Sequence, residues 1–600
     1  MFRFSIVRRS FSCITYRSKL FAPTKKDTSL GKFEMARYGR LLLKGGYAHQ
    51  TEPGMFSFLP LGQRVIDEMK KAIDLRLDEV GAQKMQMPVL QNLNRWDQTG
   101  RREKMGKELY TLKDRKGQSY CLSPTNEEVI TSIVKDLAIP ADYPMILYQT
   151  SSKFRDERRI FSSVLRSKEF LMMDAYSFDK SIQEASATFD RMDQCFKNIF
   201  SDLEIPVESL EADSGVMGGN KSREYQCLCG IGQDTVVKCS NCNYMSLHPL
   251  STSVSPSIPF FESESFQHLR QDLEVLTSKE DFMAILDQHG EIMELMDVYS
   301  LPSLHKQVLV PRGRCVNVKE LASDTTDKVN QLDHATEFLV DTSLSELFPP
   351  QLASLYHIKV GDFSLPAEGD ECVHCHAHQQ NRGSIQLLPS VELGHMFLLG
   401  DRYSGSLDLH CPSGNVMMGC YGLGLSRMMG ALFQLYGYNS GVLFPDAVTT
   451  YDVVLVNIAK SEQSRKVMIE LLDALGDTNS IRVLFDDRDQ LSLGARLTDA
   501  ELAGVRVAVI VGKDSEANGD MDIRLLHKPL IQDVLFKRTS DTVGDIHPVL
   551  RRKVESFDFQ RLEQLGYKLK NENGSQGMKD DGFMIRSSFG NFETFGIAFL

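Results

Sequence analysis

The stretch that most limits what this chain can fold into is 144–203. Two runs with strand character, 144–150 and 168–178, enclose a charged loop, and a helical run follows with Phe189, Met192, Phe196, Ile199 and Leu203 on one face. Apolar side chains three or four apart form a single stripe on a helix, and that stripe needs a surface to cover it. Strands that pair with a local neighbour across a loop make an antiparallel sheet, which supplies the surface. The fold class is therefore α/β in its α+β form. An earlier helix over 62–80 repeats the pattern with Ile66, Met69, Ile73, Leu77 and Val80, and Gly81 suits its end. A strand over 83–90 then carries Pro88, which places it at a sheet edge or interface.

The patterning changes along the chain. Residues 251–265 are rich in Ser, Pro and Glu and read as a linker into a weakly patterned insertion. Periodic order returns at Gln386. From 451 onward, strands at 451–458, 481–485 and 506–511 alternate with helical runs at 468–475 and 498–503, a small α/β domain. The expected division is 1–26, 27–250, 251–385 (the insertion), 386–445, 446–540 and 541–600. The last segment carries no readable motif.

Composition removes several classes. Hydrophobic residues make up 42% and charged residues 25%, which excludes a chain disordered throughout. The apolar runs are too short to span a bilayer, so no membrane insertion is expected. A net charge of -12 disfavours a general nucleic-acid coat. Twelve cysteines in 600 residues are too few for a disulfide-stapled scaffold. Residues 1–26 stand apart: Arg3, Arg8, Arg9, Arg17, Lys19, Lys25 and Lys26 with hydroxyl residues between them and no acid. Such a start reads as a mitochondrial presequence and implies a matrix destination.

Three constellations can carry chemistry. Phe154-Arg155-Asp156-Glu157 and Arg166-Ser167-Lys168-Glu169-Phe170 lie in a segment, 153–169, with six basic residues against three acids. An Arg can clamp a phosphate, a Glu can accept from an exocyclic amine, and Phe170 can stack on a base. A solvated charged hairpin is the plain alternative. Gly422-Leu423-Gly424-Leu425-Ser426-Arg427 offers glycines at a helix start and an Arg for phosphates, against tight helix packing as the alternative. Ser123-Pro124-Thr125-Asn126-Glu127-Glu128 can be read entirely as a helix start, with Thr125 capping and Glu128 completing a capping box. Separately, Cys239-Ser-Asn-Cys242 and Cys372-Val-His-Cys375 form two knuckles about 130 residues apart, whose four thiolates suit tetrahedral Zn²⁺. His374, His376, His378, Cys227 and Cys229 are further candidate ligands.

Together these segments resemble a class II aminoacyl-tRNA synthetase, and closely the bacterial-type prolyl-tRNA synthetase family. Helix 62–80 with the strand holding Pro88 resembles the first class motif, a dimer element. Phe154 through Phe170 resembles the second, and Gly422 through Arg427 the third. The prolyl likeness rests on Leu122-Ser123-Pro124-Thr125-Asn126-Glu127-Glu128, Lys168 through Phe178, Glu392-Leu393-Gly394-His395 and Met418-Gly419-Cys420-Tyr421-Gly422. The likeness covers roughly 30–250 and 385–515.

It implies an antiparallel-sheet catalytic core with an insertion and a C-terminal α/β anticodon-binding domain. It implies proline–tRNA ligase activity with ATP and Mg²⁺, L-proline and tRNA(Pro) as partners, and a homodimer. Thr125, Glu127 and His395 would hold proline, with Glu127 facing its imino cation. Arg155 would bind the α-phosphate and the reacting carboxylate. Glu157 and Phe170 would hold adenine, Arg427 the γ-phosphate, and Glu392 would help hold Mg²⁺. Arg488 and Arg496, flanking Phe485-Asp486-Asp487-Arg488, would meet tRNA. The family's editing domain belongs in the insertion. Val310 through Lys319 is similar to its start, but its glycine-rich loop is not found. Rival readings are a threonyl or seryl synthetase, or a catalytically silent tRNA-binding relative.

Overall fold

The computed structural model describes residues 14–24, 37–158, 163–254, 294–301, 306–317, 327–329, 337–348, 358–377, 382–438, 441–459, 461–477, 482–513, 520–526, 569–570 and 584–588, with 261, 266–267, 270 and 273. They form two compact units. One is drawn from 1–208, 214–231 and 392–600, the other from 209–213 and 232–391.

The first described element, β1 (Ile14–Tyr16), falls inside the stretch read as a presequence. The remainder of that stretch, 1–13 and 25–26, lies outside the described residues. Helix α1 (Pro60–Glu79) starts on Pro60, whose fixed φ suits a first helical position, and buries Val65, Ile66, Met69, Ile73 and Leu77. Gly81, at φ 76, reverses the chain after it. The strand expected over 83–90 is broken in two, β2 (Gln83–Lys84) and a separate strand Leu90–Asn92. Pro88 sits between them, because a proline has no N–H to give a ladder.

Helix α2 (Glu127–Leu137) precedes β3 (Met145–Phe154) and β4 (Glu169–Asp179), which pair antiparallel from Met145↔Phe178 to Phe154↔Glu169. Helix α3 (Ile182–Asp202) starts on Ser181, whose hydroxyl accepts from the Glu184 N–H. It buries Phe189, Met192, Phe196 and Ile199. Three further strands extend this sheet within the unit: β5 (Lys221–Leu228), β6 (Ile385–Gly400, in this unit from Glu392) and β7 (Met417–Leu423). The order is β5-β6-β7-β4-β3-β2. The pairs β6–β7, β7–β4 and β4–β3 are antiparallel, and the short β2 pairs parallel to β3. Helix α4 (Leu425–Tyr436) follows β7 and is buried on nearly every side.

The same unit carries the α/β domain. Strands β8 (Val453–Asn457), β9 (Val483–Asp486) and β10 (Val507–Val511) are parallel, joined through α5 (Glu462–Asp477) and α6 (Leu493–Leu502). Strand β1 adds parallel to the free side of β9. Of the segment 541–600, Leu569–Lys570 and Met584–Ser588 are described, and the latter pairs with Asp520–Leu525 in this sheet.

The second unit holds a five-stranded sheet with Leu301, Val308, Val310, Val316, Leu339 and Phe363 in its core. Its sequence limits, 232–391, reach past both ends of the 251–385 insertion. The strand Asp234–Cys239 pairs with Met245–Leu247 on one side and with residues 385–390 on the other. Among the described residues, no helix is long and apolar enough to cross a membrane.

Candidate active site

The sheet of the first unit supports a cavity of about 280 Å³. Thr125, Arg155, Glu157, Phe170, Glu392, His395 and Arg427 all line it, so the second and third motifs and the loop before α2 meet in one place.

Thr125, Cys420 and Arg101 line one end, and behind them lies the buried carboxylate of Glu127. The Thr125 hydroxyl donates to it at 2.8 and 2.7 Å, and the Cys420 thiol donates at 3.1 Å. Arg101 Nη1 binds it at 2.7 Å and reaches Glu128 at 3.2 Å. All three charged side chains are out of water, Arg101 at 1% exposure and both glutamates at 0%. The Arg101 guanidinium lies over the Trp96 and Tyr403 rings at 4.7 and 5.4 Å. Burial opposes the charge on Glu127, but Arg101, Cys420 and Thr125 outweigh it and hold its carboxyl below the usual range. Burial, with the Glu127 charge added, pushes Glu128 up. The capping box suggested by the sequence does not form: Thr125 serves Glu127, while Glu128 accepts from Thr99 and Arg101. Arg101 escapes a sequence reading, since Thr99-Gly100-Arg101-Arg102-Glu103-Lys104 looks like a solvated turn.

A buried chain fixes the same loop. Lys153 Nζ donates to Asp174 at 2.6 Å, the Tyr176 hydroxyl donates to Asp174 at 2.9 Å, and the Asn126 N–H donates to that hydroxyl at 3.0 Å. Burial raises the Asp174 carboxyl despite Lys153. Alternate residues of β3 and β4 bring these groups to one face of the sheet.

At the other end are two arginines. Arg155 follows β3, and its N–H is anchored on the Lys168 carbonyl at 3.0 Å. Its guanidinium lies over Phe170 at 5.3 Å and makes a long hydrogen bond of 3.5 Å to the Pro124 carbonyl, and its buried Nε has no hydrogen-bond partner among the described residues. Burial lowers its pKa, and the neighbouring Arg427 charge lowers it further. Arg427 binds Glu392 at 2.7 Å, and Glu157 accepts from Arg166 at 2.7 Å. A Cβ at Gly422 or Gly424 would meet its nearest atoms at 3.7 and 3.6 Å, ordinary contacts. Neither glycine is demanded by packing, and both line the cavity.

His395 lines the cavity beside Glu392. Its Nδ1 lies 3.0 Å from Glu392 and its Nε2 2.7 Å from the Ser222 hydroxyl, with the ring stacked on Phe397. Glu224, Glu392 and His395 offer ligand atoms within 4.8 Å of one another. Glu392 stays well below the usual carboxyl range: burial opposes its charge, and His395 and Arg427 override that.

The second unit brings the two cysteine knuckles together. The four Sγ atoms of Cys239, Cys242, Cys372 and Cys375 lie within 4.8 Å of one another. Cys239–Cys375 and Cys242–Cys372 are each 3.7 Å apart. A tetrahedron with Zn–S near 2.3 Å puts its sulfurs about 3.8 Å apart, so the set fits zinc and not a disulfide. The N–H groups of Asn241 and Cys242 point at Cys239 Sγ, and that of Tyr244 at Cys242 Sγ. Such bonds favour thiolates. His374 instead packs on Tyr244, and His376 pairs with Glu371. His378 lies outside the described residues, and Cys227 and Cys229 are not part of the cluster.

The structure places Arg488 and Arg496, expected to face tRNA, against the turn after β9. Arg488 spans Asp486, at 2.6 and 3.0 Å, and Asp499, at 2.7 Å, with its side chain 13% exposed. Arg496 is 3% exposed and donates to the carbonyls of Asn457 and Asp486. These bonds frame the turn after β9.

Comparison with known proteins agrees with this geometry. Residues 110–436 match the tRNA synthetase class II core domain (G, H, P, S and T), and 452–544 match the anticodon binding domain. The proline–tRNA ligase of Halothermothrix orenii is 30% identical over 555 residues, covering 85% of this chain and 95% of the relative. That of Staphylococcus epidermidis is 31% identical over 540 residues, covering 83% and 94%. Two solved structures share the fold. The Cryptosporidium parvum prolyl-tRNA synthetase complexed with halofuginone and AMPPNP has TM-score 0.51 at 13% identity, over 88% of this chain and 78% of the other. The Giardia lamblia enzyme with prolyl-adenylate has TM-score 0.51 at 13% identity, over 81% and 72%.

Proposed function

Because the chain belongs to the class II tRNA synthetases, on the branch of the proline–tRNA ligases, we propose that it joins L-proline to tRNA(Pro) in two steps and works in the mitochondrial matrix. The observation that carries the activity is one cavity with two arginines at one end and, at the other, Thr125 and Cys420 backed by the buried carboxylate of Glu127. Proline is a secondary ammonium next to a carboxylate, and ATP is a polyanion on an aromatic base, so the cavity is complementary to both at once.

In the first step a proline carboxylate oxygen bonds to the α-phosphorus of ATP, and the bond to the bridging oxygen breaks to release pyrophosphate. Glu127 pairs with the imino cation, with Thr125 beside it and His395 on the neighbouring wall. Arg155 neutralises charge as the α-phosphate and the reacting carboxylate approach. Phe170 and Glu157 take the adenine, and Arg427 the γ-phosphate. In the second step the 3′-hydroxyl of tRNA attacks the prolyl carbonyl and AMP leaves. Positioning and charge neutralisation account for such chemistry without a strong side-chain base. Glu392, with Glu224 and His395 near it, would hold Mg²⁺, which adds positive charge at the phosphates when bound. A second copy of the chain, paired through the region of α1, completes the proposal. Proline-dependent ATP–pyrophosphate exchange tests the activity. Equal exchange with threonine or serine, or none with proline, would overturn it. The matrix address rests on the composition of the first residues, and a tagged chain that fails to enter mitochondria would remove it.

Glu127→Gln keeps the shape and deletes the charge. A hydrogen bond to a charged group contributes about 1.5–3 kcal/mol. The KM for proline should therefore rise about 10- to 100-fold while that for ATP hardly moves. Equal rises for both substrates would make Glu127 structural.

The four thiolates of the second unit would hold one Zn²⁺ as a structural cross-link between two distant stretches of chain. Elemental analysis of the purified protein should find about one zinc per chain, and Cys372→Ser should remove it. Metal-free protein with unchanged thermal stability would dismiss the site.

A further inference from the structure

Residues 14–23 do something that a removable address has no reason to do. Ile14, Thr15 and Tyr16 pair in register with Val483, Leu484 and Phe485, so β1 completes the edge of the α/β domain's sheet. The Tyr16 ring stands edge-on to Phe485 at 5.3 Å. The next residues turn back over the loop that follows β9. Ser18 gives Asp487 two hydrogen bonds, from its N–H at 2.9 Å and from its hydroxyl at 2.5 Å. Arg17 is buried. Its guanidinium closes its own turn on the carbonyls of Leu20 and Ala22, at 3.2 and 2.8 Å, and reaches Asp499 at 3.4 Å. Asp499 is the same carboxylate that takes Arg488.

The segment also touches the catalytic side of the unit. Arg64 of α1 donates to the Thr15 hydroxyl at 3.2 Å while lying over Tyr451 at 4.9 Å. Gly46, at φ +72, leaves room for Pro23, whose carbonyl oxygen would be 2.8 Å from a Cβ there. Ala22 is buried against this turn.

We propose that residues 14–23 are a permanent strap of the working enzyme, which fixes the turn 486–489 and ties the anticodon-binding domain to the catalytic core. Maturation then hydrolyses a peptide bond upstream of Ile14, with water as the only co-reactant, and not near residue 26. This maturation site rests on the mitochondrial reading above; the strap itself does not. The address function fits in what remains. Residues 1–13 still hold Arg3, Arg8 and Arg9 with no acid, alternating with Phe2, Phe4, Ile6, Val7 and Phe11.

Three proteins test the strap: the full chain, a chain starting at Cys13 and a chain starting at Asp27. The chain from Cys13 should match the full chain in pyrophosphate exchange and in tRNA charging. The chain from Asp27 should keep pyrophosphate exchange but lose tRNA charging by at least about tenfold, since a misplacement near 1 Å can cost up to about a hundredfold. If that chain folds poorly, the full-length double variant Arg17→Ala/Ser18→Ala replaces it, with the same split expected between the two half-reactions. Charging unchanged in both would overturn the strap. The mass of the enzyme recovered from mitochondria should place its first residue at or before Ile14, and an active form beginning beyond Ala22 would also overturn it. An uncut enzyme found only outside mitochondria would instead defeat the address, with the truncation arms still deciding the strap.

Discussion

Arg155→Ala is expected to depress proline-dependent pyrophosphate exchange by at least about a hundredfold, the loss typical of removing one preorganised donor from a developing charge. The variant should be no less stable than the parent. Both halves follow from how Arg155 is held. Its backbone is pinned by the hairpin of β3 and β4, and its guanidinium rests on Phe170, so its position is set before any ligand arrives. No carboxylate among the described residues lies within ion-pair distance of it, and its Nε is buried without a partner. Burial and the Arg427 charge both act against its protonated form. A cation in that state costs the folded protein free energy, and an anion entering the cavity relieves the cost. Function and stability are therefore opposed at this position, as they commonly are where a site is built for charge the free protein lacks. Exchange kinetics and a thermal melt on the same preparation check the claim. Near-normal exchange, or a melt lowered together with activity, would show that Arg155 is a framework residue.

The sequence made the cavity legible because its chemistry is carried by short strings with fixed offsets. Phe154 through Glu157, Glu392 through His395 and Gly422 through Arg427 each contain their own functional residues. What stayed hidden has partners far away. Arg101 finds Glu127 26 positions on, and Ser18 finds Asp487 469 positions on. The basic, acid-free character of the first residues was visible, but a strand's neighbour is not written in its composition. Arg488 and Arg496 also have partners that a sequence does not display. A run of charges next to a turn looks like a surface, and only the structure shows that Asp486 and Asp499 consume the arginines internally. Pro88, expected inside a strand at a sheet edge, instead lies between two short strands.

The larger stability effect belongs to a residue outside every motif. Arg101→Ala should lower the stability of the catalytic core by about 3–5 kcal/mol, the usual consequence of removing one partner from a buried ion pair. Two carboxylates share this guanidinium with no water to replace it. Without Arg101 the largest influence holding Glu127 down is gone: burial is then opposed only by the Cys420, Thr125 and backbone hydrogen bonds, and its carboxyl moves up. In the parent, Glu127 is held below its unfolded value, so its contribution to stability is present above the ordinary carboxylate range and fades as pH falls through its lowered folded value. Glu128, held above its unfolded value, acts oppositely and loses its contribution as pH rises through the ordinary range toward its raised folded value. In the variant both carboxyls behave like Glu128, so stability should fall as pH rises from acid toward neutral. Proline activation should at the same time need a higher pH, because the secondary ammonium of proline pairs with ionised Glu127. Arg101→Lys separates charge from shape: it keeps the cation but not the fork that spans both glutamates or the stacking on Trp96 and Tyr403. It should restore part of the stability and most of the pH profile. A thermal midpoint for Arg101→Ala equal to the parent's, or an unshifted acid limb of pyrophosphate exchange, would mean that Glu127 does not depend on Arg101 for its charge.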